Sequence, residues 1–273
     1  YNICLVHYPH SMAWWELAEL ICYSLRNLGM RAQIQHKKLE ANCRNIILGA
    51  FLLEPEYIAK IPKNSIFLNT EQIFKDDQKS MWPSDIYEWA RNFETWDYSD
   101  KNIEAFKAAG IDGVKKLSLG YEALLNRMPK REIQDIDVLF YGSRNERRVH
   151  ILNELKNTGL NVEVLFGVYG SERDEYISRS KVILNCHNYN SEIFEIVRCF
   201  YLMTNSKAIV AEVNTTTSID PIYLEGICAS PYNKLIEECI KVAKDKEYRE
   251  FLEKRAFKTI SELPQEKFLK SIL

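Results

Sequence analysis

The sequence predicts an α/β protein of two Rossmann-like domains facing each other across a cleft. Three observations predict it. Short apolar runs ending in polar turns alternate with helical-period stretches through most of the chain, the pattern of strands joined by crossover helices. The alternation lapses over residues 121–134 (YEALLNRMPKREIQ), where Pro129 and a run of charge leave no periodicity, and then restarts. A chain of 273 residues also has room for two domains of roughly 100–150 residues each. The expected division is an N-terminal domain over 1–125, a C-terminal domain over 134–263 and a tail over 264–273.

In order, residues 2–7 (NICLVH) read as a strand bounded by the loop Tyr8-Pro9-His10-Ser11. Apolar residues at Trp14, Leu17, Ala18, Ile21, Cys22, Leu25 and Leu28 then form a helical stripe, with Gly29 placed to end it. Residues 32–35 are a weaker strand, and 45–51 (NIILGAF) and 65–69 (SIFLN) are stronger ones. Residues 91–98 lead into a strand edge, Ser99-Asp100 caps a helix closed by Gly110, and 114–119 is the last strand of this half. Beyond the linker, strands are expected at 137–141, 162–166, 182–185, 208–211 and 226–229. Helices are expected at 146–158, 173–180, 193–203, 233–243 and 246–263, and 265–273 is compatible with one more.

Composition excludes several classes. The 46% hydrophobic and 27% charged shares belong to an ordinary globular protein, and a net charge of −2 gives no overall field toward nucleic acid or lipid. No apolar run approaches the ~18–20 residues of a membrane span, and no leader peptide is visible. The seven cysteines include no C-x-x-C pair and no Cys/His zinc spacing, so neither a structural metal nor a disulfide framework is expected. A cytoplasmic location fits this usage.

Polar residues gather where strands of the second half end, which is where open α/β sheets bind ligands. Gly142, Ser143 and Arg144 stand where a strand meets a helix N-terminus, a place suited to phosphate, with Arg147 and Arg148 one turn further on. His187, Asn188 and Tyr189 follow another strand. Tyr189 suits stacking on a base or sugar as well as loop packing. Gly167 and Gly170 suit a close backbone approach or a plain turn. Arg198 lies in an apolar helical stretch and needs a partner, either a phosphate or Glu195 three residues earlier.

In the first half, His7, His10 and Glu71 are candidate acid/base groups at strand ends. Asp97 reads as a structural cap. The pair Asp135 and Asp137 precedes a strand and is not a metal motif. Trp14, Trp15 and Trp82 suit sugar stacking, whereas Trp89 and Trp96 read as core.

The run 180–212 has a strand, a polar loop, a helix bearing Glu195 and Arg198, and then SKAIVAE. It resembles the donor-binding segment of two-domain GT-B glycosyltransferases. The strand–Gly–helix at 139–148 resembles the start of that family's C-terminal domain, and 117–121 (LSLGY) resembles its hinge. The phrases NTEQI (69–73) and ETWDYSDKN (94–102) suit the N-terminal domain of its bacterial branches. Tyr201 stands where the alignment places the family's second glutamate.

The resemblance implies a metal-independent, hexosyltransferase-like enzyme without a cofactor, using a nucleotide diphosphate sugar, uridine-based, as donor. The donor site would comprise Gly142, Ser143, Arg144, Gly167, His187, Tyr189, Glu195, Arg198 and Tyr201. Glu71, His10 and His7 would serve catalysis on the acceptor side, and closure would hinge near Gly120 and Tyr121. The acceptor stays open among glycan, lipid-linked glycan, protein and modified nucleic acid. Rival readings are a nucleic-acid base glycosyltransferase, a nucleotide-sugar epimerase of the same fold, and a non-catalytic nucleotide- or sugar-binding protein.

Overall fold

The computed structural model describes residues 1–74 and 83–273; Trp82 lies outside them. The chain forms two compact units. One comprises Tyr1–Glu122 with Pro264–Leu273, and the other Ala123–Leu263.

The first unit carries a parallel sheet of β1 (Asn2–Leu5), β2 (Gln33–His36), β3 (Asn45–Leu48), β4 (Ile66–Asn69), β5 (Glu94–Asp97) and the two-residue β6 (Lys115–Lys116). Its order is β2-β1-β3-β4-β5-β6. β1, β3 and β4 are buried along their whole length, as parallel strands covered on both faces are, whereas Gln33 and His36 of the edge strand β2 are exposed. Helix α1 (Trp15–Asn27) buries the predicted stripe of Leu17, Ala18, Ile21, Cys22 and Leu25. It ends with Gly29 at φ 80, where the Met30 N–H reaches back to the Leu25 carbonyl at 3.0 Å. Helix α2 (Pro83–Asn92) occupies a stretch the sequence left unassigned. Helix α3 (Asp100–Ala108) takes Ser99 as its cap, the Asn102 N–H donating to the Ser99 hydroxyl.

The second unit has a parallel sheet of β7 (Ile136–Tyr141), β8 (Val162–Leu165), β9 (Ser180–Asn185), β10 (Ile209–Glu212) and β11 (Cys228–Ser230), in the order β11-β10-β9-β7-β8. Helices α4 (Glu146–Asn157), α5 (Gly170–Arg179), α6 (Ile196–Thr204), α7 (Leu235–Lys244) and α8 (Lys246–Ser261) belong to this unit. Its core is built from alternate β7 and β9 residues, Val138, Phe140, Val182 and Leu184, against Ile151 and Leu155 of α4 and Cys239 and Val242 of α7.

Two boundaries differ from expectation for visible reasons. α5 starts at Gly170 and runs directly into β9, leaving no loop between them. α6 starts at Ile196 rather than 193, because Ile193 bridges to Ser218 and the Phe194 N–H donates to the Ser218 carbonyl at 3.0 Å, holding that segment extended. Glu195 is therefore the residue before the helix, not a member of it. The last helix, α9 (Gln265–Ile272), belongs to the first unit. Among the described residues no helix is long and apolar enough to cross a membrane.

In each sheet the chain leaves the first strand toward one side and returns on the other. The resulting switch points lie between β1 and β3 in one unit and between β7 and β9 in the other. Crevices that bind ligands form at such points, outside the carboxyl ends of the strands.

Candidate functional site

The β7/β9 switch point collects most of the polar residues singled out in the second half. β7 ends at Gly142, whose φ of 130 lies in the region that favours glycine. Its N–H is held by the Leu165 carbonyl at 3.0 Å. A Cβ at this position would stand 2.8 Å from the Arg198 Nη2, so the missing side chain lets a guanidinium lie against the strand-to-helix turn. Ser143 and Arg144 are exposed on the turn. Asn145 then caps α4, accepting from the Arg148 N–H at 2.9 Å, while its own amide donates to the Asn188 carbonyl at 2.7 Å. The loop after β7 is thereby tied to the loop after β9.

The four arginines of this region divide by partner. Arg147 makes a bidentate pair with the fully buried Glu212 at the end of β10 and lies over the Tyr232 ring, so its charge is spent internally. Arg148 is buried too. It donates to the Cys186 and Ser143 carbonyls and stands 3.5 Å from Glu195. Burial and repulsion by Arg198 lower its guanidinium to about 10 against the pull of Glu195. Arg144 forms no ion pair among the described residues. Arg198 donates to the neutral Asn185 Oδ1 at 3.2 Å and lies over the Tyr141 ring, 4.9 Å from its centroid.

The ion pair between Glu195 and Arg198 is not formed among the described residues. Glu195 instead faces Arg148, His187 and Asn185. Two guanidiniums and one carboxylate thus share the floor of the switch point beside the N-terminus of α4. The balance is positive, and it suits an anion.

Burial acts to raise the Glu195 carboxyl, but the His187 imidazole, Arg198 and Arg148 outweigh it and hold it near about 2. Asn185 Nδ2 donates to Glu195 Oε2 at 2.8 Å, and His187 Nδ1 lies 3.3 Å from the same oxygen. Glu195 Oε1 is buried and accepts no hydrogen bond among the described residues, with Arg148 Nη2 3.5 Å away. His187 itself is only 2% exposed, so the structure places it beneath the site rather than on its surface.

Tyr201 is also buried. Its hydroxyl donates to Asp174 at 2.6 Å and accepts from Arg127 at 3.1 Å. Burial and Asp174 push the phenol up, so both faces of its polar group serve packing of α6 against its neighbours. Gly167, at φ 72, turns the chain after β8 beside the exposed Phe166. Tyr189 lies half-buried on the β9 loop. Asp135 and Asp137 are taken by ion pairs with Arg179 and Lys181.

Asn185, Glu212 and Thr217 were not singled out from the sequence, although the first two end apolar strands, a position that could have marked them.

In the first unit, His7 is exposed and His10 packs edge-on to Tyr8, which stacks on the buried Trp14. Both histidines follow β1, whereas Glu71 follows β4 with β3 between, so no neighbouring pair of strands presents all three. Burial raises the Glu71 carboxyl to about 7. Asp97 acts structurally, as expected. Its carboxylate accepts from Asn69 at 2.6 Å, from the Ser99 N–H at 2.8 Å and from Asn102 at 3.1 Å.

No protein-family model matches the sequence. A protein of Acanthamoeba polyphaga mimivirus, "Uncharacterized protein L140", is 27% identical over 194 residues, which are 68% of this chain and 61% of that protein. The chain thus spans less than two thirds of that relative's length, and the matches to two further proteins of the same virus, L138 and L137, span 13% and 18% of theirs. Among solved structures, Anabaena HepE in complex with UDP and glucose superposes with a TM-score of 0.64 at 10% identity, covering 99% of this chain and 97% of its own. A DNA-modifying β-glucosyltransferase, solved with and without uridine diphosphoglucose, superposes with a TM-score of 0.60 at 14% identity, covering 100% and 99%. Likeness over nearly the whole of each chain shows that this polypeptide has the GT-B glycosyltransferase-like fold.

Proposed function

We propose that the chain is a glycosyltransferase that moves a sugar from a nucleoside diphosphate sugar, uridine-based, to an acceptor hydroxyl, without a metal in the donor site. The observation that carries this reading is Arg198, a guanidinium without a carboxylate partner of its own among the described residues, lying against Gly142 at the N-terminal approach to α4. Negative charge builds on the diphosphate as the bond to the sugar breaks. Fixed donors aimed at it lower the barrier without reorganising. Arg198, the exposed Arg144 and the first N–H groups of α4 are suited to that task. Glu195, which keeps 14% of its side chain exposed, suits ribose or sugar hydroxyls.

Neighbours of the same fold bound to UDP or UDP-glucose support the choice of donor. On the acceptor side, Glu71 is placed in the role of base. The acceptor oxygen bonds to the anomeric carbon, the bond from that carbon to the diphosphate oxygen breaks, and the acceptor proton passes to Glu71. A net charge of −2 favours an acceptor other than a polyanion.

Thermal shift with UDP, GDP and dTDP tests the reading. A selective rise with UDP is expected in the wild type, and Arg198→Ala should weaken that response by about tenfold in ligand concentration, the loss of one charge-assisted contact. No response to any diphosphate would sink the proposal. An unchanged response in the variant would remove Arg198 from it.

A further inference from the structure

The loop after β10 reaches into the floor of the switch point. Thr217 Oγ1 lies 3.1 Å from His187 Nε2, and the Asn214 N–H donates to the same hydroxyl at 2.9 Å. The other ring nitrogen of His187 lies 3.3 Å from Glu195 Oε2. The ionised Glu195 can only accept, so His187 Nδ1 carries a proton, and in the neutral ring Nε2 is then the acceptor. Thr217 fills that acceptor with its hydroxyl hydrogen, while its own oxygen is filled by Asn214. Every donor and acceptor in the series is matched by one tautomer.

The same loop is braced on its other side. Glu192, at φ 47, accepts from the Asn214 amide at 3.0 Å and from the Thr216 hydroxyl, and Ser218 exchanges backbone hydrogen bonds with Glu192 and Phe194. The segment from Glu192 to Phe194 leads directly into Glu195, so backbone and side chain of Glu195 are both set from the 214–218 loop.

We infer that Thr217 is a positioning residue of the donor site, acting through His187 to hold the Glu195 carboxylate in the orientation that receives the hydroxyls of the donor. His187 has both nitrogens committed to protein partners and is almost fully buried, so it transmits this constraint and does not touch the ligand. Losing the Thr217 hydroxyl leaves Nε2 unfilled and allows the other tautomer, which would point a lone pair at the Glu195 carboxylate and turn it away. The diphosphate contacts at Gly142 and Arg198 meet this series only through Asn185, which donates to Glu195 and accepts from Arg198, and so feel the change less than the hydroxyl contacts.

The inference rests on the proposed donor reading, and one experiment separates the two. Affinities of UDP, 2′,3′-dideoxy-UDP and inorganic pyrophosphate are measured by calorimetry for the wild type, Thr217→Val and Thr217→Ser. The wild type should prefer UDP to its dideoxy analogue. Thr217→Val should weaken UDP about five- to tenfold, the scale of one hydrogen bond, bring the two nucleotides within about twofold, and change pyrophosphate by less than about twofold. Thr217→Ser, which restores the hydroxyl, should restore the preference. A Thr217→Val protein that keeps the wild-type preference overturns the inference, as does equal loss of all three ligands, which would mark a merely structural loop. A wild type that binds neither UDP nor pyrophosphate overturns the donor reading itself.

Discussion

Asp97 ends β5 and Glu71 follows the neighbouring β4, and burial raises both carboxyls to about 7, for Asp97 in spite of donors from Asn69, Ser99 and Asn102. Their consequences differ in kind. Asp97 is fully buried, and its folded value lies above the ordinary 3.8, so between about pH 4 and pH 7 the folded state holds a proton that the unfolded state has released. Its contribution to stability is therefore fully present below the unfolded value and is lost as pH rises, at about 1.4 kcal/mol per pH unit across that window. Urea unfolding at pH 4.5, 5.5 and 6.5 should show this decline, and Asp97→Asn should lessen the slope whatever its absolute stability. A slope unchanged in the variant would mean that Asp97 is ionised throughout. For Glu71 the expected signature is kinetic. A base with a value of about 7 gives kcat/KM an ascending limb that levels off above neutrality, and Glu71→Gln should remove the limb with a loss of about 10²–10⁴ in rate. A full rate in that variant would leave catalysis to another group, with His10 next to test.

At the scale of elements, the turn from β7 into α4 is the critical joint, because one backbone conformation admits both the tight exit from the strand and the approach of Arg198. Gly142→Ala places a methyl group 2.8 Å from the guanidinium and forces a φ of 130 on a residue that resists it. The side chain of Arg198 can swing away cheaply, whereas the backbone strain costs about 1–3 kcal/mol. The variant should fold with a lowered midpoint in urea and bind UDP about tenfold or more weakly; wild-type affinity would place the diphosphate elsewhere. This joint was legible in the sequence, as an apolar run ending in glycine before an arginine-rich helix. So was the succession of strands and helices apart from α2, and the sequence also named Glu195 and Arg198 as candidates. What was not legible is how these charges are shared. A sequence pairs Glu195 with Arg198 by their spacing of three, but that spacing implies proximity only inside a helix, and the bridge from Ile193 to Ser218 keeps Glu195 out of α6. Arg147 and Arg148 likewise looked equivalent, yet successive positions on a helix face different neighbours, Glu212 for one and the Cys186 carbonyl for the other. Helix α2 carried no cap signal that separated it from the strand after it.

At the scale of the whole molecule, the chain completes its first unit only after finishing its second. α9 returns to the first unit, where Leu269 and Ile272 are buried and Gln265 is wholly enclosed. The Gln265 side chain accepts from the Gly120 N–H at 2.6 Å and donates to the Ser118 carbonyl at 3.2 Å, and Lys115 donates to the Ile272 carbonyl at 2.8 Å. The amphipathic pattern of 265–273 announces a helix but not its partner, since the residues it covers are more than a hundred positions away. Deleting residues 264–273 should remove about 3–6 kcal/mol of apolar burial from the first unit, at roughly 1.5–3 kcal/mol for each large side chain, and leave the Gly120 N–H unmatched. That is a large share of the ~5–15 kcal/mol that holds a domain together. The deleted residues belong to the first unit, and the second, Ala123–Leu263, keeps its whole sequence. All five tryptophans, at 14, 15, 82, 89 and 96, fall within residues 1–122, so tryptophan fluorescence reports the first unit alone while far-ultraviolet circular dichroism reports both. In the truncated chain the fluorescence transition should move to lower urea and a dichroism transition of unchanged midpoint should remain. If both signals shift together, the two units unfold as one and the assignment of α9 to the first is energetically empty.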